Sequence, residues 1–385
     1  MYQIKLLNKI SPLGLSVLSG AQYNCGEDVE DPHAIIVRSA SLHEMELGKN
    51  LQAIARAGAG INNIPVEKCS ELGIAVFNTP GANANAVKEL TIMGLLMSAR
   101  KISPAMQWVQ GLKGKGVEVP ALVEKGKGNF AGPEIKGKTL GVIGLGTIGV
   151  MVAGSAVEMG MEVYGYDPFL SVSAAFRINP RVSRAMSLKE IYTRCDFISL
   201  HLPSTGDTRD MINSESLAEM KQGVRILNFA RGDLVVSDDI IAALDEDQVC
   251  CYLTDFPDQT LLAHPGVIAL PHLGASTPES EENCAIMAAE EIRDYLETGN
   301  VRNSINLPEI QVPRSGRARL GVIHHNTPAM IARISSLVPS NINNLTNNSK
   351  DAIGYLVMDL DEPLTCEQVE KINTLSGVIR ARYFK

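Results

Sequence analysis

The stretch Thr139–Ala153, "TLGVIGLGTIGVMVA", decides the fold. It opens as a short apolar strand. Gly144, Gly146 and Gly149 then follow the spacing G-x-G-x-x-G and lead into an apolar helix. The first glycine allows a tight turn and the second lets backbone approach a pyrophosphate. The third lets helix pack close to strand, and the helix N-terminus faces the phosphates. Asp167 closes "EVYGYD" about 20 residues on, the context this motif requires. A carboxylate there accepts hydrogen bonds from ribose hydroxyls and repels a 2′-phosphate, which selects NAD over NADP.

Strand and helix alternate on both sides of this stretch. Ahead of it, "HAIIVRSA" (33–40), "LQAIARAGAG" (51–60) and "GIAVFNTPG" (73–81) read as buried strands, with helices expected in 41–57 and 62–72. Apolar positions at helical spacing from Ala84 to Trp108 predict one connecting helix, and the Gly- and Lys-rich run after it predicts a loop. Beyond the glycines, "EVYGYD", "CDFISLHLP", "VRILNFA", "CCYLTDF" and "GVIALPH" are further strands, followed by a long helix from Pro278 to Thr298. Such alternation favours parallel βαβ units. "NLPEIQVPRSG" reads as a polar linker to a separate tail that begins at Arg317 and runs strand, helix, strand, strand, helix, strand.

Composition narrows the function. The chain has 385 residues, is 45% hydrophobic and carries a formal net charge of −8, so it buries large cores and has no global pull toward nucleic acid or anionic membrane. Its seven cysteines are scattered, with no zinc spacing, and read as reduced thiols of a cytoplasmic protein. No metal site is expected, and neither a leader segment nor a membrane span is evident.

Three later strand ends carry chemistry. "LNFARGDLV" places Arg231, "YLTDFPDQ" places Asp255, Asp258 and Gln259, and "ALPHLGAST" places His272. Ligands of open α/β sheets lie outside the carboxyl ends of the strands. A guanidinium there holds a carboxylate, and an imidazole takes the proton of a secondary alcohol while hydride leaves for the cofactor. Singly, each side chain is as readily a surface ion-pair or loop residue; together, downstream of the glycines, they point to a dehydrogenase.

"NTPGANANAVKELTIMGLLMSAR", "KGKTLGVIGLGTIG", "LNFARGDLV" and "PHLGASTPESEENCA" resemble the D-isomer-specific 2-hydroxyacid dehydrogenases. The resemblance implies a Rossmann-like NAD-binding domain (96–279) inserted into a flavodoxin-like substrate domain (1–95 and 280–308), with catalysis in a cleft between them. It further implies a C-terminal βαββαβ ACT domain (317–385). Insertion explains why the glycines lie mid-chain. The implied reaction is oxidation of 3-phospho-D-glycerate, the first step of L-serine synthesis. Another 2-hydroxy acid (glycerate or 2-hydroxyglutarate), or an NAD-binding regulator without turnover, remains the alternative.

The same resemblance assigns roles. Arg231 binds the substrate carboxylate and carbonyl oxygen, and His272 is the general acid/base. Gly146, Thr147 and Ile148 face the pyrophosphate, while Ala230, Asp255, Gly274 and Ala275 lie on the nicotinamide side. Arg38, Ser39, Gly58, Ala59, Gly60 and Asn83 match anion-binding positions, with Lys136 and Lys138 as further phosphate candidates. The family usually has a Glu after the "DV" strand, bonded to the catalytic His. "LTDFPDQTLLAHPG" contains none, and Asp258 is expected to replace it, with Gln259 and Asp255 as the other candidates. In the tail, "IHHN" and the later "NI" resemble an amino-acid site, so His324, Asn326 and Asn341 are candidate ligands of an L-serine effector. The open sheet edge of such a unit favours a homo-oligomer, dimer or tetramer.

Overall fold

The computed structural model describes residues 1–384. The chain forms two compact units: Met1–Asn83 together with the chain from Thr277 onward, and Ala84–Ser276, which is inserted between those two segments.

The inserted unit is built on seven parallel strands: β6 (Thr139–Ile143), β7 (Glu162–Tyr166), β8 (Ser183–Arg184), β9 (Phe197–Leu200), β10 (Val224–Asn228), β11 (Val249–Thr254) and β12 (Val267–Ala269). Their order is β12-β11-β10-β9-β6-β7-β8. β9 and the inner residues of β6, β10 and β11 are buried, which is why they read as unbroken apolar runs rather than alternating ones. The order reverses between β6 and β9, the place where open α/β sheets bind ligands. The helices Ala84–Ala99 and Thr147–Glu158 belong to this unit.

Two expectations fail here. The helix foreseen over 84–108 stops at Ala99 and restarts as Ile102–Gln110, because Lys101 adopts a non-helical ψ of 54°. The run foreseen as a plain loop contains the helix Val119–Gly126, with Pro120 in its first turn, and folds on its own contacts, with Trp108 tilted against Phe130 at 5.3 Å.

The first unit holds a parallel sheet of β1 (Tyr2–Leu7), β2 (Tyr23–Gly26), β3 (Ala34–Val37), β4 (Ala53–Arg56) and β5 (Ala75–Asn78), in the order β2-β1-β3-β4-β5. That is the flavodoxin-like order. The helix Pro278–Thr298 packs on it through a face of small residues that includes Ala285, Ala288 and Ala289. Thr277 caps its start by accepting from Ser280 N, Pro278 follows, and Gly299 ends it at φ 71°, the left-handed conformation that glycine tolerates. Residues 41–52 form turns rather than the expected helix; Gly48 and Asn50 interrupt any helical period, and Leu42 and Leu51 pin the segment to the core.

The tail forms an antiparallel sheet of β13 (Ala318–His325), β14 (Ile342–Lys350), β15 (Ile353–Leu360) and β16 (Val378–Phe384), in the order β14-β15-β13-β16, with helices at Met330–Ser335 and Cys366–Asn373. It has the sheet expected from sequence and a buried cluster of its own around Leu320, Val322 and Met358, yet it is packed within the first unit rather than standing apart. Ile323, Tyr355 and Val357 share one buried cluster with Ile4, Ala34 and Tyr295. The expected linker packs into the same cluster through Leu307 and Ile310. Among the described residues, no helix is long and apolar enough to cross a membrane.

Candidate active site

The candidate residues divide between the two units, and each set occupies the carboxyl ends of its own strands.

In the inserted unit the glycine turn leaves β6. Gly144 has φ +93°, and a Cβ on it would lie 2.4 Å from the carbonyl oxygen of His201, so only glycine fits. A Cβ on Gly149 would lie 1.9 Å from Gly144 O, which shows how closely the helix Thr147–Glu158 approaches the turn. Gly146 faces open space, with no atom within 4 Å of where its Cβ would stand. Asp167, after β7, accepts from Leu145 N through Oδ2 and from Phe169 N through Oδ1, both at 2.9 Å. An open backbone cradle at a helix N-terminus, with a carboxylate beside it, fits a dinucleotide. Thr147 and Ile148 form the first turn of that helix.

Arg231 lies just beyond β10 and is exposed. The buried Asn228 shapes its loop: Nδ2 donates to Arg231 O at 2.9 Å, and Oδ1 accepts from the N–H of Ala230 at 3.2 Å. The Arg231 guanidinium donates to Ala230 O at 2.6 Å, which orients it. Lys136 and Lys138 precede β6, so they lie at the amino end of that strand, away from the ligand side of the sheet.

His272 follows β12 and is 64% exposed along its side chain. Its Nδ1 lies 3.0 Å from Oδ2 of Asp255, at the end of β11, which is 2% exposed. The Phe256 ring leans against the imidazole at 4.8 Å. Burial raises the Asp255 carboxyl above the usual carboxylate range, opposed by His272 and by Arg231.

The expected partner, Asp258, is occupied elsewhere. It caps the helix Gln259–Leu262, accepting from Leu261 N at 2.8 Å, and its Oδ2 accepts from the Ser237 hydroxyl at 2.6 Å. Burial opposes its charge, but these hydrogen bonds outweigh burial and hold its carboxyl below the usual range. Gln259 is the first residue of that helix. Placing the carboxylate at Asp258 was therefore wrong; the acid beside His272 is Asp255.

In the first unit, Arg38 follows β3 and pairs with Glu281 at 2.6 Å. Asn8 Oδ1 accepts from Ser39 N and Ala40 N. Gly58, Ala59 and Gly60 form the turn after β4, where Asn78 donates to Ala59 O at 2.6 Å. Asn83 ends the segment. Sequence reasoning missed Arg56: its Nε donates to Arg38 O and its Nη1 to Asn62 Oδ1, both at 3.0 Å. A Cβ on Gly60 would meet that Nη1 at 2.5 Å, so the guanidinium lies against the glycine turn. The available signal was an arginine ending the buried run "AIAR" just ahead of "GAG".

The three effector candidates do not meet within one chain. His324 is 2% exposed; its ring nitrogens contact His325 O and Asn347 Oδ1, each at 2.8 Å. Asn326 donates to Asp351 O at the β14–β15 hairpin, while Asn341 contacts Asp361 at the far end of β14.

The model of the family "D-isomer specific 2-hydroxyacid dehydrogenase, NAD binding domain" matches residues 92–274. A D-3-phosphoglycerate dehydrogenase of Synechocystis sp. is 36% identical over 289 residues, 73% of this chain and 50% of that protein. The chain thus spans about half the length of that curated relative. A D-3-phosphoglycerate dehydrogenase of Haemophilus influenzae is 30% identical over 374 residues, covering 92% of this chain and 87% of that protein. Among solved structures, an NAD+-bound 3-phosphoglycerate dehydrogenase of Entamoeba histolytica has a TM-score of 0.62 at 26% identity, covering 79% of this chain and 98% of that one. The chain therefore belongs to the D-isomer-specific 2-hydroxyacid dehydrogenases, and its inserted unit is an NAD-binding domain.

Proposed function

We infer that this protein oxidises 3-phospho-D-glycerate to 3-phosphohydroxypyruvate with NAD, the entry step of L-serine synthesis. The observation that carries the chemistry is the exposed imidazole of His272 backed by a buried carboxylate. The relative from Haemophilus influenzae, matched over most of both chains, supports the choice of substrate.

NAD, when bound, supplies the hydride acceptor. His272 accepts the C2 hydroxyl proton at Nε2, since Nδ1 faces Asp255. Arg231 holds the substrate carboxylate through its planar fork. Arg38, Arg56 and the Gly58–Gly60 turn offer cations and backbone N–H groups for a phosphate. The tail is a regulatory unit. An amino acid touching both Asn326 and Asn341 requires two copies of the chain, which ties an L-serine effector to a homo-oligomer.

The test is NADH formation at alkaline pH with 3-phosphoglycerate, D-glycerate and 2-hydroxyglutarate side by side, each with and without L-serine. A kcat/KM at least ~10-fold higher for the phosphorylated acid is expected. Equal or better turnover of an unphosphorylated acid would move the protein to another substrate of the same family. Indifference to serine would remove the effector.

A further inference from the structure

Resting on that reading, we propose that Asp255 is a shared carboxylate. It is the positioning residue that orients His272, and it also meets the nicotinamide end of the cofactor, so that one side chain performs two tasks the family resemblance would divide between an aspartate and a downstream glutamate.

Three observations carry this. Asp255 Oδ2 lies 3.0 Å from His272 Nδ1, while Asp258, the other acidic residue of "LTDFPDQTLLAHPG", is spent on a helix cap and on Ser237. Neither oxygen of Asp255 receives a well-aligned hydrogen bond among the described residues, although both are buried. A buried carboxylate oxygen without a donor is costly, so the unused Oδ1 is suited to a donor that arrives with the ligand. Finally, Asp255 directly follows β11, and Phe256 packs on the imidazole, so neither partner swings freely. Gly274, in the turn after His272, lies on the same side: a Cβ on Gly274 would stand 3.9 Å from Asp255 Oδ2.

An acceptor at Nδ1 holds the proton there and leaves Nε2 bare to act as base. The pair sets a carboxylate against the base, so the pH profile of turnover reports which acid, Asp255 or Asp258, acts on it. The other charged or titratable groups of this unit near the pair are Arg231 on the loop after β10, Tyr252 within β11, and Asp258.

The experiment uses the full chain. Nitrogen-15 histidine NMR, with His272→Gln to assign the signal, reads the tautomer without substrate. NADH fluorescence titration reads cofactor affinity, and the pH profile of kcat/KM reads the acid limb. In the native chain the neutral imidazole should carry its proton on Nδ1. Asp255→Asn should shift the tautomer, move the acid limb to lower pH, weaken NADH about 10-fold and lower kcat/KM roughly 10²-fold. Asp258→Asn should leave tautomer and limb in place. A native tautomer protonated at Nε2 overturns the proposal, as does an acid limb that moves with Asp258→Asn but not with Asp255→Asn. An unchanged NADH affinity in a folded Asp255→Asn overturns the sharing. Should Asp255→Asn not fold, Asp255→Glu, which keeps the charge, is expected to retain the acid limb; its loss would count against the pair. The NMR and NADH readouts need no hydroxy acid. Failure on 3-phosphoglycerate therefore sinks the substrate assignment alone.

Discussion

Glu291 lies on the buried face of the helix Pro278–Thr298 and is 2% exposed. Burial pushes its carboxyl up to about 8, opposed by the hydrogen bond from Asn303 Nδ2 at 2.7 Å and by Arg302. In the unfolded chain this group ionises near its ordinary value of 4.5. Its proton is thus held more tightly in the folded state. The stability it lends is complete below about 4.5 and is lost as pH rises toward about 8, at up to about 1.4 kcal/mol per pH unit. Glu291→Gln keeps the bond from Asn303 and cannot ionise. Urea titrations between pH 5 and 9 should show the variant gaining on the native chain by a margin that widens up to about pH 8 and then levels off; parallel curves would contradict a buried neutral Glu291. Nothing in the sequence marks this residue apart from the other glutamates of "PESEENCAIMAAEEIRDYLET", because burial depends on which face of the helix meets the sheet. His272 and Arg231, by contrast, were legible, since each follows a readable strand. The partner of His272 was misplaced because the choice between Asp255 and Asp258 turns on loop geometry, and Asp258 is drawn off by the N–H of Leu261 and by Ser237.

At the scale of the element, the glycine turn separates packing from binding. Gly149→Ala puts a Cβ against the backbone oxygen of Gly144, so the helix Thr147–Glu158 must shift, at a cost of about 1–3 kcal/mol. Gly146→Ala meets nothing and its φ of −69° suits alanine, yet its methyl stands where backbone should approach the pyrophosphate. Thermal melts and NADH titrations should therefore diverge. Gly149→Ala lowers Tm, whereas Gly146→Ala keeps Tm and loses affinity. Equal melting of both variants with equal NADH affinity would refute that division. Strands buried on both faces were readable as apolar runs. Short elements were not: β8 has two residues, and β1 and β2 lack the apolar continuity of the central strands. The expected helix over 41–57 failed because propensity cannot see that Leu42 and Leu51 are claimed by the core while the chain between them turns.

At the scale of the whole chain, the tail is fastened to the first unit by buried arginine. Arg319 is 0% exposed and grips Asp359 through Nε at 2.6 Å and Nη2 at 3.0 Å. Its Nη1 donates to Thr298 O at 3.0 Å, at the end of the long helix. Arg380 reaches the carbonyls of Lys49 and Leu51, just ahead of β4. Asp359→Ala strands a buried guanidinium and should cost about 3–5 kcal/mol. If tail and first unit melt as one, calorimetry should show their common transition moving down; a small, separate transition for the tail alone would contradict the shared core.

The amino-acid sequence by itself determined the class of fold, the glycine turn with the carboxylate of Asp167 beside it, and the strand ends that bear Arg231 and His272. These depend on local spacing, apolar runs and the conformational freedom of glycine at φ +93°, all of which act within a few residues. Only the tertiary structure decided that Asp255 backs the imidazole, that Arg56 braces the Gly60 turn, that the tail shares a core with the first unit, and that Asn326 and Asn341 lie at opposite ends of β14. Each of those outcomes is a contest between groups distant in sequence. It is settled by which hydrogen bonds and apolar surfaces remain available once the sheets have assembled.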